Sequence, residues 1–180
     1  FRLIPQRGIE NIVKVLGIDP GTRHLGYGFV EDDQHGLRAT DYGRLSFQSS
    51  LPMANRLYQI HSHVLNMISL FSPNQIAVEA PFMGQGKNQY VRSAFAIGQA
   101  QAAVLIAAVS QNIPIFQYPP SQVKASVSSQ GNASKDQVKT MVMLTLSLKE
   151  EPDTYDASDA LAIAICHLRQ RELAKIIGRE

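Results

Sequence analysis

The chain has 180 residues, 44% apolar and 18% charged, enough for one packed core and too apolar for a wholly disordered protein. The formal net charge of +2 neither demands nor excludes a polyanionic partner, so a nucleic-acid site would have to come from the local placement of Lys and Arg. A lone cysteine, Cys166, rules out an internal disulfide and fits a reducing cytoplasm.

Residues 1–12 carry early arginines without an apolar run behind them, a poor signal peptide, and are read as an N-terminal extension or cloning remnant. From Ile12 to Asp19 the residues are β-branched and end at Asp-Pro-Gly-Thr, a strand followed by a turn. Apolar runs at Gly26 to Val30 and Leu37 to Phe47 follow after Asp/Gly-rich breaks, which suggests an antiparallel meander. The period then changes. Leu57, Ile60, Val64, Leu65, Ile68 and Phe71 have helical spacing within Leu51 to Phe71.

Gln75 to Glu79 reads as a short strand, about Arg92 to Gln111 as a long helix, and Ile113 to Tyr118 as a strand punctuated by Pro119 and Pro120. Helices are expected at about Lys135 to Leu148 and Tyr155 to Ile177. No stretch approaches the roughly 18 uninterrupted apolar residues of a bilayer span; the richest, Ala94 to Val109, is broken by Gly98, Gln99 and Gln101. Long connections between the later strands suit crossover helices and parallel pairing. The expectation is one α/β domain over residues 13–177, a mixed sheet flanked by helices.

Four acids stand out. Asp19 ends the first strand, where its ordinary role would be to start a turn. Glu79 closes Ile76-Ala77-Val78, and a Glu inside a buried strand calls for a cationic partner, a solvent-reaching strand end or a metal. Asp156 and Asp159 share one face of a helix start, where Asp156 could be an N-cap and Asp159 its box partner. Asp159 also aligns with Ile163 and Cys166, at the edge of a core-facing stripe. Carboxylates converging from two strand ends and one helix would repel one another and suit hard cations such as Mg²⁺. Two such ions could activate water and stabilise the leaving oxygen in phosphodiester hydrolysis. No Cys/His cluster offers a zinc site, and His61 and His63 read as surface or satisfied helix positions.

In order along the chain, Gly17-Ile18-Asp19-Pro20-Gly21-Thr22-Arg23, Gly26-Tyr27-Gly28, Val78-Glu79-Ala80-Pro81-Phe82-Met83, Gly98-Gln99-Ala100, Gln122-Val123-Lys124, Gly131-Asn132-Ala133-Ser134-Lys135 and Asp156-Ala157-Ser158-Asp159-Ala160-Leu161-Ala162 resemble the motifs of the RuvC family of Holliday-junction resolvases. The resemblance implies a ribonuclease-H-like fold with a five-stranded mixed sheet. It also implies a homodimer that nicks a four-way DNA junction symmetrically in recombination and repair, beside branch-migration proteins of the RuvA and RuvB type. By position, Asp19, Glu79, Asp156 and Asp159 fall on the family's catalytic, metal-binding acids, with two Mg²⁺ per site and Mn²⁺ as a substitute. Phe82 falls on an aromatic that stacks on junction bases, and Lys124 and Lys135 on basic residues near the scissile phosphate. Three departures touch DNA contacts rather than the acids: Gln101 stands where Arg is usual, the stretch around Ser129 lacks an early glycine, and the loop Gly84 to Arg92 is longer than in some members.

Three other readings remain open from the residues. A nuclease for RNA–DNA hybrids or unstructured DNA would use the same acids, because fold and metal do not choose the substrate. An actin-like nucleotide-binding domain would use Asp-x-Gly-Thr for phosphates, although 180 residues leave little room for the second domain it usually has. A DNA-binding scaffold without catalysis would have no use for acids that repel phosphate.

Overall fold

The computed structural model describes residues 12–81 and 88–178, with the side chains of residues 88–91 left aside. Phe82 therefore lies outside the described residues. The elements run β1 (Val13–Asp19), β2 (His24–Asp33), β3 (Gly36–Ser46), α1 (Met53–Phe71), β4 (Gln75–Glu79), α2 (Asn88–Ser110), β5 (Ile115–Tyr118), α3 (Pro120–Ser128), α4 (Lys135–Leu146) and α5 (Tyr155–Ile176). One mixed sheet has the order β3-β2-β1-β4-β5. The first three strands are antiparallel, while β1, β4 and β5 are parallel, the pairing expected from the connection lengths.

Alternation along the strands divides the core into two layers. Val15, Val30 and Ala77 face α3, α4 and α5, where Val123, Val142, Leu161 and Ile165 are buried. Leu16, Ile18, Phe29, Ile76 and Val78 face the other way, against Ile60 and Val64 of α1 and Val104 and Ala107 of α2. Helix α5 runs between the sheet and α3–α4, and every residue from Ala160 to Leu168 is buried. That explains an Ala/Leu/Ile-rich helix with no clear polar face.

Helix α3 was not expected. Pro119 and Pro120 look like punctuation, but Pro120 is the first helical residue, where proline's fixed φ and missing N–H are tolerated. Only Val123 and Val127 anchor it, one turn apart. Its C-cap is Ser129 at φ 61°, a left-handed conformation that glycine adopts more freely. The glycine missing from this stretch therefore has a backbone meaning.

Helix α4 starts on a capping box: Ser134 Oγ accepts from Gln137 N–H while the Gln137 side chain accepts from Ser134 N–H. Helix α5 is capped by Thr154, whose Oγ1 accepts from Ala157 N–H at 3.3 Å, which frees Asp156 from the capping role considered for it. By length and composition alone, Arg92–Ser110 of α2 is apolar enough to cross a membrane. A count of uninterrupted apolar residues misses this. In the fold its Ala100, Ala103, Val104, Ala107 and Ala108 belong to the core layer shared with α1.

Candidate active site

Parallel pairing aligns Ile18 with Val78, so Asp19 and Glu79, one residue further on, end neighbouring strands side by side. The end of β4 is fixed from both directions. Glu79 pairs with Tyr118 of β5, and the buried Gln101 side chain donates to the Glu79 carbonyl at 3.3 Å and to Gln117 Oε1 at 3.1 Å. Gln101, noted above only as a departure, thus holds the backbone that carries a candidate acid.

Two strand glycines bring the second pair of acids into range. A Cβ on Gly17 would lie 2.1 Å from the Ala160 carbonyl oxygen, and one on Gly26 would lie 2.0 Å from that of Asp156. Only bare backbone at these positions lets α5 lie directly on β1 and β2. Its first turns then deliver Asp156 and Asp159 to the Asp19 end of the sheet.

Asp19, Glu79 and Asp159 line a cavity of about 290 Å³ together with Lys124 of α3 and Lys135 of α4, over a floor that includes Val123, Val138 and Ala162. Lys135 Nζ donates to Asp159 Oδ2 at 3.4 Å. Asp156 stands at the rim, one-third exposed, where Arg44 of β3 pairs with it at 3.6 Å. The structure thus brings together every described candidate, with Asp156 peripheral to the other three acids.

The electrostatics follow from burial and crowding. Burial pushes Asp19 up to about 7, and repulsion from Glu79, Asp159 and Asp156 adds to it, with Lys135 offsetting part. Burial also raises Glu79 to about 7, helped by Asp159 and opposed by Lys135 and Lys124. Asp159 is raised by burial despite its Lys135 partner. Burial works against the Lys135 ammonium, but attraction to Asp159, Asp19 and Asp156 outweighs it and raises that pKa.

Among the described residues, no three His, Cys, Asp or Glu side chains are gathered tightly enough to hold a metal ion as they stand. The donor set nevertheless fits one: oxygen donors only, more negative charge than two lysines neutralise, and a cavity open to ligand.

The Crossover junction endodeoxyribonuclease RuvC family model matches residues 15–167. The chain belongs to the RuvC family. A RuvC relative from Dehalococcoides mccartyi strain BAV1 is 41% identical over 167 residues, covering 93% of this chain and 98% of the relative. The solved structure of Thermus thermophilus RuvC in complex with Holliday junction substrate superposes with a TM-score of 0.81 at 34% identity, covering 90% of this chain and 96% of that one. The yeast mitochondrial Holliday junction resolvase Ydc2, at 16% identity and a TM-score of 0.66, supports the fold alone. The ribonuclease-H-like sheet anticipated from the motifs is therefore the fold of a RuvC-family chain.

Beside the role of Gln101, two residues of the site escaped the sequence reading. Arg44 and Tyr155 gain their partners across the fold, Arg44 at Asp156 and Tyr155 at Asp136 and two lysines. No local spacing announces either.

Proposed function

We propose that the chain is a divalent-metal-dependent endonuclease that resolves four-way DNA junctions, with residues 13–177 as its single nuclease domain and residues 1–12 outside it. The observation that carries this reading is the convergence of Asp19, Glu79 and Asp159 with Lys124 and Lys135 on one cavity in a chain of the RuvC family. Asp19, Glu79 and Asp159 are assigned as principal ligands of two Mg²⁺ ions, with Mn²⁺ as a substitute. Asp156, held outward by Arg44, is assigned as a further ligand or as the positioner of the attacking water. Bound there, the ions would supply Lewis-acid activation of water and charge stabilisation at the leaving oxygen.

Lys124 and Lys135 are placed to meet phosphate oxygens entering the cavity. Their charge offsets the acids' repulsion of the backbone. Phe82 is assigned to stacking on a junction base, worth about 1–3 kcal/mol per base. A homodimer acting on two opposed strands is supported by α2, where Phe95, Ile106 and Val109 are exposed on the side away from its buried alanines. An apolar stripe of that kind suits a second copy. Buried, free Cys166 fits a cytoplasmic location, where RuvA- and RuvB-type branch-migration proteins would be partners.

The test is cleavage of a synthetic four-way junction beside a linear duplex and an RNA–DNA hybrid, with Mg²⁺ and with EDTA. Paired nicks in the junction alone, lost with EDTA, are expected. Equal cutting of all three would remove the junction selectivity, and a monomer at micromolar concentration would remove paired nicking.

A further inference from the structure

Lys135 is two-thirds exposed on a flexible stem, a poor starting point for a cation that must meet one phosphate oxygen. Its surroundings restrain it. Tyr155, the first residue of α5, turns its ring toward α4, and the ammonium groups of Lys135 and Lys139 lie over that ring at 5.7 and 5.4 Å from its centroid. The Tyr155 hydroxyl donates to Asp136 Oδ1 at 2.5 Å, which fixes the ring against the first turn of α4. Lys139 is paired with Glu151 at 2.6 Å and does not line the cavity, whereas Lys135 does, so Lys135 is the cation that the ring presents toward the cavity.

We propose that Tyr155 is a positioning residue for cleavage: its ring, aimed by Asp136, holds the Lys135 ammonium at the cavity mouth, between Asp159 and the place where a substrate phosphate enters. The ring offers an attraction that survives when Lys135 exchanges Asp159 for a phosphate oxygen, because a cation–π contact uses the ring face and leaves the N–H donors on the far side of the ammonium for the phosphate. This rests on the assignment of Lys135 to phosphate given above. An exposed contact of this kind enriches the held arrangement by about twofold to fivefold, which sets the size of the expected rate effect.

The experiment compares single-turnover junction cleavage by the full chain, Tyr155→Leu, Tyr155→Phe, Lys135→Ala and the Tyr155→Leu/Lys135→Ala double variant. It is paired with NMR of the metal-free protein carrying ¹³C-labelled lysine. Tyr155→Leu is expected to slow cleavage about twofold to fivefold with junction affinity retained, and Tyr155→Phe, which keeps the ring but loses its Asp136 anchor, to recover part of the lost rate. In the Lys135→Ala background Tyr155→Leu should cost nothing more. The ring-current shift of the Lys135 Cε–H signals should be present in the wild type and in Tyr155→Phe and absent in Tyr155→Leu. An equal cost of Tyr155→Leu with and without Lys135 would overturn the proposal, as would a Phe variant as slow as Leu or a Lys135 signal indifferent to the ring. A slow Lys135→Ala beside a fully active Tyr155→Leu would defeat the ring's role alone, whereas a wild-type rate in Lys135→Ala would defeat the phosphate assignment beneath it.

Discussion

The same sheet carries acids at both ends and treats them in opposite ways. At one end Glu31, only 8% exposed, is gripped by Lys14 at 3.0 Å and Arg38 at 2.6 Å. Burial alone would raise its carboxyl, but the two bases outweigh it and hold its pKa below the usual value. At the other end Asp19 and Glu79 are pushed up to about 7, with too few cations to neutralise them. An acid matched by its own bases is finished structure. A surplus of buried acids suits charge that arrives from outside, such as the cations proposed above.

The largest effect that would break this contrast lies in the surplus. Asp19→Asn or Glu79→Gln should lower junction cleavage by about a thousandfold or more while junction binding survives, and wild-type cutting would cancel the assignment. The same changes should stabilise the metal-free protein at pH 8. With a folded pKa near 7 against 3.8 unfolded, Asp19 favours the fold below about pH 4, and that contribution disappears as pH rises through about 7. Its removal should therefore be worth on the order of 4 kcal/mol at pH 8, measured by urea unfolding.

A smaller effect of opposite sign comes from His167. It is buried, donates from Nε2 to Gln75 Oε1 at 2.8 Å, accepts at Nδ1 from the Tyr118 hydroxyl at 2.6 Å, and packs against Phe116. Burial, with Arg171 nearby, lowers its pKa to about 4. The unfolded chain takes up the proton first, so stability falls between about pH 6.5 and pH 4, by about 3 kcal/mol. The acids and the histidine oppose each other across this range. Two raised acids outweigh one histidine, so wild-type stability should rise as pH falls through this range, and Asp19→Asn, with Glu79 left to balance His167, should flatten that rise. An equally steep profile in that variant would contradict the assignment.

The smallest effect sits at the finished end. Glu31→Ala strands Lys14 and Arg38, the latter largely exposed, and should cost about 1–2 kcal/mol of stability with cleavage by the folded protein unchanged. Lost cleavage at full stability would erase the distinction between the two ends.

Asp19 and Glu79 were legible because a carboxylate that closes an apolar strand is out of place in local terms, and Asp156 and Asp159 because their spacing shares a helix face. The family motifs then joined acids that the chain scatters. The stretch Pro120–Ser128 was not legible as a helix, since only two apolar residues mark it and its prolines mimic a break. Gln101, Arg44 and Tyr155 were invisible as parts of the site for another reason: each acts on a partner delivered by the fold, and the glycines that bring α5 onto β1 and β2 show their purpose only once the helix is in place.

The central claim is that the surplus acids await a divalent cation. Its most direct test is the melting temperature at pH 8, with and without 10 mM Mg²⁺, of the wild type and of Asp19→Asn/Glu79→Gln. A dissociation constant near 1 mM would stabilise the wild type by about 1.4 kcal/mol and raise its melting temperature by about 3–6 °C; the double variant, more stable without metal, should not respond. An equal rise in both proteins, or none in the wild type, would contradict the account.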